Sequence, residues 1–165
     1  MEIRETSAGD TDSVFALYQR VAETPGGLIR LASEVTPDYV TGFLERASTA
    51  GLSLLAFNGD QLIGEIHAYS PQLFALSHVW SELSIAVHPD AQGRGVGRAL
   101  FVDFMRRVRE RPEIDRVELI ARESNQRAIE FYESLGFQRE GRFDRRIRNV
   151  DHSVEADIPM AWLRP

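Results

Sequence analysis

The sequence has 165 residues, which is the length of one domain rather than two. Hydrophobic residues make up 43% and charged residues 27%, a composition typical of a folded chain that is neither disordered nor membrane-embedded. The chain contains no Cys, and all 19 of its basic residues are Arg. These absences exclude disulfides, thiolate nucleophiles, Cys-ligated zinc and iron–sulfur sites, and every mechanism that needs a Lys Schiff base or a P-loop Lys.

The charge is unevenly distributed. The net charge of −6 argues against nucleic acid as the main partner. Residues 1–90 carry 4 Arg and 12 acidic residues, whereas residues 91–165 carry 15 Arg and 13 acidic residues. Two such halves can face ligands of opposite sign, although dispersed surface charge explains the same counts. No segment has the roughly 20 apolar residues of a membrane span, and the charged start of the chain is unlike a signal peptide, so we expect a cytoplasmic protein with no membrane partner.

Apolar periodicity and turn signals predict the elements. Asn58-Gly59-Asp60 forms a hairpin turn, and Gly136 ends the last helix. Alternating strands and helices without a repeat or linker predict one mixed α/β domain over residues 1–165. In chain order we expect a strand over Glu2–Glu5, helices over Thr11–Val21 and Pro37–Ala50, strands over Leu52–Phe57, Gln61–Tyr69 and His78–Val87, a helix over Gly95–Glu110, a strand over Arg116–Ala121, a helix over Ser124–Leu135, and strands over Phe137–Arg148 and Ser153–Leu163.

A glycine-rich segment, Gln92-Gly93-Arg94-Gly95-Val96-Gly97, follows a strand and opens a helix. Small residues let backbone N–H groups approach an anion, the helix N-terminus adds unpaired N–H groups, and Arg94 and Arg98 add positive charge, so the segment suits a pyrophosphate. Its glycine spacing is not that of a Rossmann fingerprint, and a Walker A loop needs Lys. A turn without a function is the simpler alternative.

The same segment resembles the acyl-CoA-binding motif of the GCN5-related N-acetyltransferase (GNAT) family, with Gln92, Gly95 and Gly97 at the motif's fixed positions. Ile85–Pro89 resembles the strand that precedes this motif, and Ser124–Phe137 resembles the family's second motif. The resemblance covers nearly the whole chain. It implies a mostly antiparallel twisted sheet of six to seven strands, flanked by about four helices and splayed between the fourth and fifth strands.

The resemblance also implies that acetyl-CoA is the cosubstrate and that no metal takes part. Backbone groups of the strand before the glycine-rich segment would contact the pantetheine arm and the acetyl group. The residues implied in cofactor binding are Ile85, Ala86, Val87, Gln92, Gly93, Arg94, Gly95, Val96, Gly97, Arg98, Asn125, Ala128 and Tyr132.

Acetyl transfer from a thioester to an amine needs a base for the amine and an acid for the thiolate. Glu82 is the candidate base, because a mid-strand carboxylate is costly unless it is exposed or used, and the family often carries its base near this position. Alternation places it on one face with Trp80 and Ser84, and partial burial would raise its pKa. By resemblance, Tyr132 is the candidate acid. The alternative for Glu82 is an exposed carboxylate without a catalytic role, and the alternative for Tyr132 is an aromatic residue of the core. We expect His67 to be a half-buried structural residue rather than part of an acceptor pocket.

The acceptor is indicated only by a weaker resemblance. Glu82–Pro89 and Asp157–Met160 look most like bacterial members that act on amino acids and their analogues, so we expect a small-molecule primary amine. A protein N-terminus, as in ribosomal-protein acetyltransferases, and a non-catalytic acyl-CoA-binding module are the alternatives. Thr24–Pro37, Glu65–Tyr69 and the final hairpin are candidate acceptor segments. Exposed edges near Ser70–His78 and in the final hairpin are candidate contacts of a homodimer.

Overall fold

The elements follow the predicted order in a computed structural model that describes all residues, 1–165. The four helices are α1 (Thr11–Ala22), α2 (Pro37–Ala50), α3 (Val96–Arg109) and α4 (Gln126–Ser134). The strands are β1 (Glu2–Glu5), β2 (Gly51–Asn58), β3 (Gln61–Tyr69), β4 (Val79–Val87), β5 (Arg116–Arg122), β6 (Gln138–Arg139), β7 (Phe143–Arg148) and β8 (Val154–Leu163).

The prediction of a mixed α/β fold with a mostly antiparallel sheet is confirmed, but the sheet has eight strands. The additional strand arises because Phe137–Arg148 is not continuous. Its two ends, β6 and β7, each pair with β8, and the chain between them leaves the ladder around Gly141. The backbone N–H of Glu140 still donates to the carbonyl of Pro159 at 2.9 Å, which holds this interruption against β8.

The strand order is β1-β2-β3-β4-β5-β8-β6, with β7 also paired with β8. Every pair is antiparallel except β4 with β5, which run parallel and share only two residue pairs, Val79 with Arg116 and Trp80 with Val117. Beyond Trp80 the two strands separate, which confirms the predicted splay. On that side of β4 the backbone from Ser81 to Val87 has no neighbouring strand, so its N–H and C=O groups remain available to a ligand.

A β-bulge bends β4 just where the splay begins. Ser84 lies opposite His67, and Ser81 lies opposite Tyr69, so β4 contains one residue more than β3 across this stretch. The backbone of Glu82 is left-handed, with φ of 57°. A bulge of this kind increases the local twist and changes where the side chains point.

The bulge also breaks the alternation of side chains along β4. Trp80 packs against Phe104 of α3, with ring centroids 6.0 Å apart, on the same side of the sheet as Leu83. The prediction that Trp80, Glu82 and Ser84 share one face is therefore wrong, because strict alternation assumes a strand without inserted residues.

Two apolar clusters cover the two faces of the sheet. One contains the α3 residues Leu100, Phe101 and Phe104, and the other is built from α1 and α2 around Tyr18 and Phe43. Gly64 lets α3 approach β3 closely, because a Cβ atom at this position would lie 2.7 Å from Cδ1 of Leu100. The sheet is thus covered on both faces, and side chains of α2 and α4 line the opening between β4 and β5.

The connection between β3 and β4, Ser70–His78, is a loop with a short 3-10 turn rather than a sheet edge. Phe74 is 97% exposed and Leu73 is 60% exposed, so the loop carries apolar side chains into solvent. Among the helices, none has the length and apolarity that crossing a membrane requires.

Asp10 organises the turn that joins β1 to α1. Arg4 donates to both of its carboxylate oxygens, at 2.9 and 2.7 Å, and the backbone N–H and hydroxyl of Ser7 donate at 2.7 Å each. The hydrogen bonds from Arg4 and from Ser7 hold the pKa of Asp10 well below its usual range, despite the opposing effect of its partial burial.

Replacing Asp10 by Asn is expected to lower the free energy of unfolding by about 1–2 kcal/mol at pH 7, because these bonds depend on the charge of the carboxylate. Since folding depresses the pKa of Asp10, its stabilisation is full above about pH 4 and is lost as the pH falls toward the lower, folded-state value. Urea unfolding should therefore show a difference between wild type and variant that shrinks below pH 4. Asp12→Asn, at an exposed position two residues further along the chain, is the control, and an equal loss in both variants would contradict this role.

Candidate active site

The gap between β4 and β5 opens into a cleft of about 540 Å³. Of the predicted site residues, Glu82, Ile85, Asn125, Ala128 and Tyr132 line this cleft together. The side chain of Ala86 packs in the apolar cluster of α1 and α2, so only its backbone can take part in the site. The glycine-rich segment lies beyond the end of β4, so the site extends from the cleft along the open edge of this strand to the start of α3.

The glycine-rich segment has the backbone of an anion-binding turn. Gly93 and Gly95 have φ of 73° and 82°, which side chains rarely tolerate, and a Cβ at either position would meet only open space. Gly95 is the N-cap of α3 and supplies no side-chain cap. The N–H groups of Val96, Gly97 and Arg98 therefore lack intrahelical acceptors and remain free for an anion.

Two arginine side chains flank this turn, and neither has an acidic partner. Arg94 and Arg98 are both exposed and form no ion pair, and Arg98 lies 5.6 Å over the ring of Phe131. Gln92 donates from Nε2 to the carbonyl of Val87 at 3.1 Å, which fixes the turn to the end of β4. Gln92 thus acts on the conformation of the turn through a contact within the protein.

Tyr132 faces the cleft from α4. Its ring packs against Phe101 and Phe137, with centroids 5.1 and 6.2 Å away, while its hydroxyl has no hydrogen-bond partner within the protein. Burial raises the pKa of Tyr132 above its ordinary value, so the phenol keeps its proton at neutral pH. Asn125 caps the same helix by accepting from the backbone N–H of Ala128 at 3.2 Å.

Glu82 presents its carboxylate to the cleft from the bulge in β4. The side chain is exposed rather than partly buried, and it forms neither a hydrogen bond nor an ion pair within the protein. Other acidic side chains of the cleft differ in this respect, since Glu118 is paired with Arg116 and Asp157 lies 3.7 Å from Arg146. Burial raises the pKa of Asp157. The carboxylate of Glu82 has no partner within the protein and can therefore contact a cationic ligand.

Two guanidinium groups of the cleft also lack acidic partners. Arg30 lies 4.0 Å over the ring of Tyr39, and Arg46 lies 5.0 Å over the ring of Tyr69. The other two Arg of residues 1–90 both form ion pairs, so the two unpaired ones are those that line the cleft.

Neither arginine is among the site residues predicted from the sequence. For Arg46 a signal was present, because Tyr39, Phe43 and Arg46 recur at the spacing that places residues on one face of a helix. This face of α2 lines the cleft, and Arg46 is the charged residue that follows the two aromatic ones on it.

His67 lines the cleft as well. It is 3% exposed rather than half-buried, and its ring stacks on Phe43 with centroids 4.0 Å apart. Its Nδ1 atom lies 3.1 Å from a carboxylate oxygen of Glu65, which is fully buried. No group of His, Asp and Glu side chains is arranged to hold a metal ion.

The decisive comparison is with families of known proteins. A model of the acetyltransferase (GNAT) family matches residues 16–137. The chain belongs to the GNAT family. The resemblance drawn from the two sequence motifs is thereby confirmed at the level of the family.

Individual relatives share shorter segments or the fold. A 55-residue segment is 44% identical to the mycothiol acetyltransferase of Salinispora arenicola, covering 33% of this chain and 18% of that protein. The ribosomal-protein-alanine N-acetyltransferase of Brucella melitensis superposes with a TM-score of 0.85 at 20% identity, covering 99% of this chain and all of the other. The yncA structure from Salmonella typhimurium, determined with acetyl-CoA, has a TM-score of 0.85 at 18% identity, covering 99% and 93% of the two chains. These two structures show a shared fold.

Proposed function

We propose that this GNAT enzyme transfers the acetyl group of acetyl-CoA to the primary amine of an amino acid or a close analogue. One observation carries the choice of acceptor: the unpaired charges of the cleft are one carboxylate, Glu82, and two guanidinium groups, Arg30 and Arg46. A free amino acid carries the complementary pair, an ammonium and a carboxylate. A simple amine would leave both guanidinium groups without a partner.

Two of these charges, Arg46 and Glu82, are connected through the fold. Arg46 lies over the ring of Tyr69, and Tyr69 is paired with Ser81, the residue before Glu82. We therefore expect an acceptor whose carboxylate binds Arg46 to direct its nitrogen toward Glu82, which lines the same cleft. A guanidinium binds a carboxylate through two parallel hydrogen bonds, so it also fixes the orientation of the acceptor.

The other end of the site fits acetyl-CoA. The free N–H groups at the start of α3, with the exposed Arg94 and Arg98, suit the pyrophosphate. The open edge of β4 from Ser81 to Val87 offers backbone groups to the pantetheine arm, and Asn125, Ala128 and Tyr132 line the facing wall. The cosubstrate supplies an acetyl thioester, which is activated toward attack by an amine.

The proposed chemistry uses two proton transfers at side chains of the cleft. Glu82 accepts a proton from the acceptor nitrogen as the nitrogen attacks. Tyr132 donates its phenolic proton to the departing sulfur, which its raised pKa allows because the phenol stays protonated at neutral pH. Backbone N–H groups on the open edge of β4 polarise the carbonyl that is attacked.

The test is thiol release from acetyl-CoA against matched acceptors: free amino acids, the amines left when their carboxylate is removed, and short peptides with free N-termini. We expect turnover with amino acids. Arg46→Gln should raise the KM of the best amino acid on the order of tenfold or more, because a charge-assisted hydrogen bond contributes about 1.5–3 kcal/mol, and should leave the KM of its decarboxylated amine unchanged.

Arg20→Gln is the matched control, since Arg20 forms an exposed ion pair with Glu23 outside the cleft. Turnover restricted to the peptides would replace the proposal with a protein N-terminal acetyltransferase. Tight binding of acetyl-CoA with no turnover on any acceptor would instead indicate a binding module.

A further inference from the structure

A buried polar cluster lies behind the cleft, and the chemistry described so far leaves it without a role. Glu65 of β3 is 0% exposed. Its carboxylate accepts from the hydroxyls of Tyr18 and Ser53, each at 2.7 Å, and lies 3.1 and 3.2 Å from Nδ1 of His67. No Arg contacts it, so His67 is its one basic neighbour. Burying a carboxylate in this way is costly, and packing alone gives no reason for it.

One end of the cluster opens on the cleft. His67 uses Nδ1 for its contact with Glu65, while Nε2 has no hydrogen-bond partner within the protein. Because the neighbouring carboxylate holds the proton on Nδ1, the free lone pair is that of Nε2. His67 lies opposite Ser84 in the sheet, two residues from Glu82, and it lines the same cleft.

The other end of the cluster reaches a different surface. The hydroxyl oxygen of Ser53 lies 2.7 Å from Glu65 Oε1 and 2.6 Å from the hydroxyl oxygen of Thr6. Thr6 is half-exposed and, with Ser53, lines a second cavity whose wall includes Ser7 and Ser48. The two cavities have no lining residue in common. A continuous series of hydrogen-bonding groups therefore connects them: His67, Glu65, Ser53 and Thr6.

The stoichiometry of acetyl transfer requires an exit for one proton. An acceptor ammonium and a thioester give an amide, a thiol and one free proton. The nitrogen loses two protons in all, of which one is balanced by the thiol and the other must reach solvent. A path through the protein would let this proton leave while the acceptor and the cosubstrate fill the cleft.

Given the acetyltransferase function proposed above, we propose that His67, Glu65, Ser53 and Thr6 form a proton path from the cleft to the second cavity. The acceptor ammonium gives its proton to Nε2 of His67, and the Nδ1 proton passes to Oε1 of Glu65. Once Oε1 carries this proton it becomes the donor, and the Ser53 hydroxyl turns from Glu65 to Thr6. The Glu65 proton then moves to Ser53 as the Ser53 hydroxyl proton moves to Thr6, which releases its own to water, and rotation of the hydroxyls and of the His67 ring restores the starting arrangement. The neutral amine then attacks, and Glu82 takes the second proton.

Tyr18 is outside this path and keeps Glu65 in place. Burial, followed by the negative charge of Glu65, raises the pKa of Tyr18 well above its ordinary value, so its hydroxyl remains a donor throughout. The titratable or charged groups at the cleft end of the path are Tyr39 and Arg46 from α2, Tyr69 from β3 and Glu82 from β4. At the second cavity they are Glu5, Glu45 and Arg111.

The experiment compares variants that interrupt the path with a control variant. The control removes a hydrogen bond that Glu65 accepts from a residue outside the path. Ser53→Ala and Thr6→Val should each lower kcat on the order of tenfold at pH 7 or below, with little change in KM. The loss should disappear as the pH rises above the pKa of the acceptor amine, because the amine then arrives neutral. Tyr18→Phe should show no such recovery with pH. His67→Ala should lose activity at pH 7 and regain part of it with added imidazole.

Wild-type pH profiles for both Ser53→Ala and Thr6→Val, or the same pH-dependent loss in Tyr18→Phe, would overturn the path. Thr6 is half-exposed, so its variant keeps the test valid if a change at the buried Ser53 prevents folding. Failure of the proposed function looks different, because the wild-type enzyme would then acetylate no amine at any pH.

Discussion

Replacing Glu82 by Gln is expected to lower kcat/KM for acetyl transfer on the order of 10²-fold, the scale of a positioned proton transfer. Gln keeps the size of the side chain and its place in the bulge but cannot accept a proton. Glu82 is the acidic side chain of the cleft without an ion-pair partner, so none of its neighbours is free to replace it. The measurement is steady-state thiol release across pH with the best acceptor.

The pH dependence separates Glu82 from the proton path. In Glu82→Gln the loss should persist above the pKa of the acceptor amine, because a neutral amine must still lose a proton during attack. Glu118→Gln changes an acidic residue of the same cleft whose carboxylate already pairs with Arg116, and it should keep most of the activity. If both variants lose the same modest activity, Glu82 acts through the charge of the cleft and not as a base.

Replacing Tyr132 by Phe is expected to lower kcat on the order of tenfold or more while leaving the KM for acetyl-CoA nearly unchanged. Phe preserves the packing against Phe101 and Phe137 and removes only the hydroxyl, which makes no hydrogen bond within the protein. The hydroxyl would be needed when sulfur departs with a negative charge.

The identity of the leaving group provides the control for Tyr132. An acetyl thioester whose thiol has a lower pKa needs less help from an acid, so the gap between wild type and Tyr132→Phe should narrow with such a donor. A gap of the same size for both donors would assign Tyr132 to positioning. Because burial raises the pKa of Tyr132, the wild-type enzyme should not lose activity through ionisation of this phenol below pH 10.

Local chemistry made much of the fold predictable from the sequence. The strand Glu2–Glu5 and the helix Pro37–Ala50 have the expected bounds, the latter because Thr36 caps the helix and Pro37 begins it. The turn at Asn58–Asp60 fixes the β2–β3 hairpin in the same way. These signals lie within a few residues of the element they determine.

The parts of the site that were not predicted depend on pairing between distant segments. The bulge at Glu82 is one inserted residue relative to β3, and nothing within β4 marks it. Glu65–Tyr69 is among the predicted acceptor segments, but the contact between Glu65 and His67 is not predictable, because β3 is buried on both faces and lacks the alternation that reveals a solvent-facing side. That Arg46 has no acidic partner follows only from the assembled cleft.

The left-handed backbone at Glu82 has a consequence for how this enzyme can change. A side chain in this conformation costs about 1–2 kcal/mol that glycine would not. Glu82→Gly is therefore expected to relieve strain in the fold while removing the proposed base. With Glu82 in its proposed role, greater stability and faster turnover require different residues at this one position. Selection for heat resistance alone would then lead toward an inactive protein.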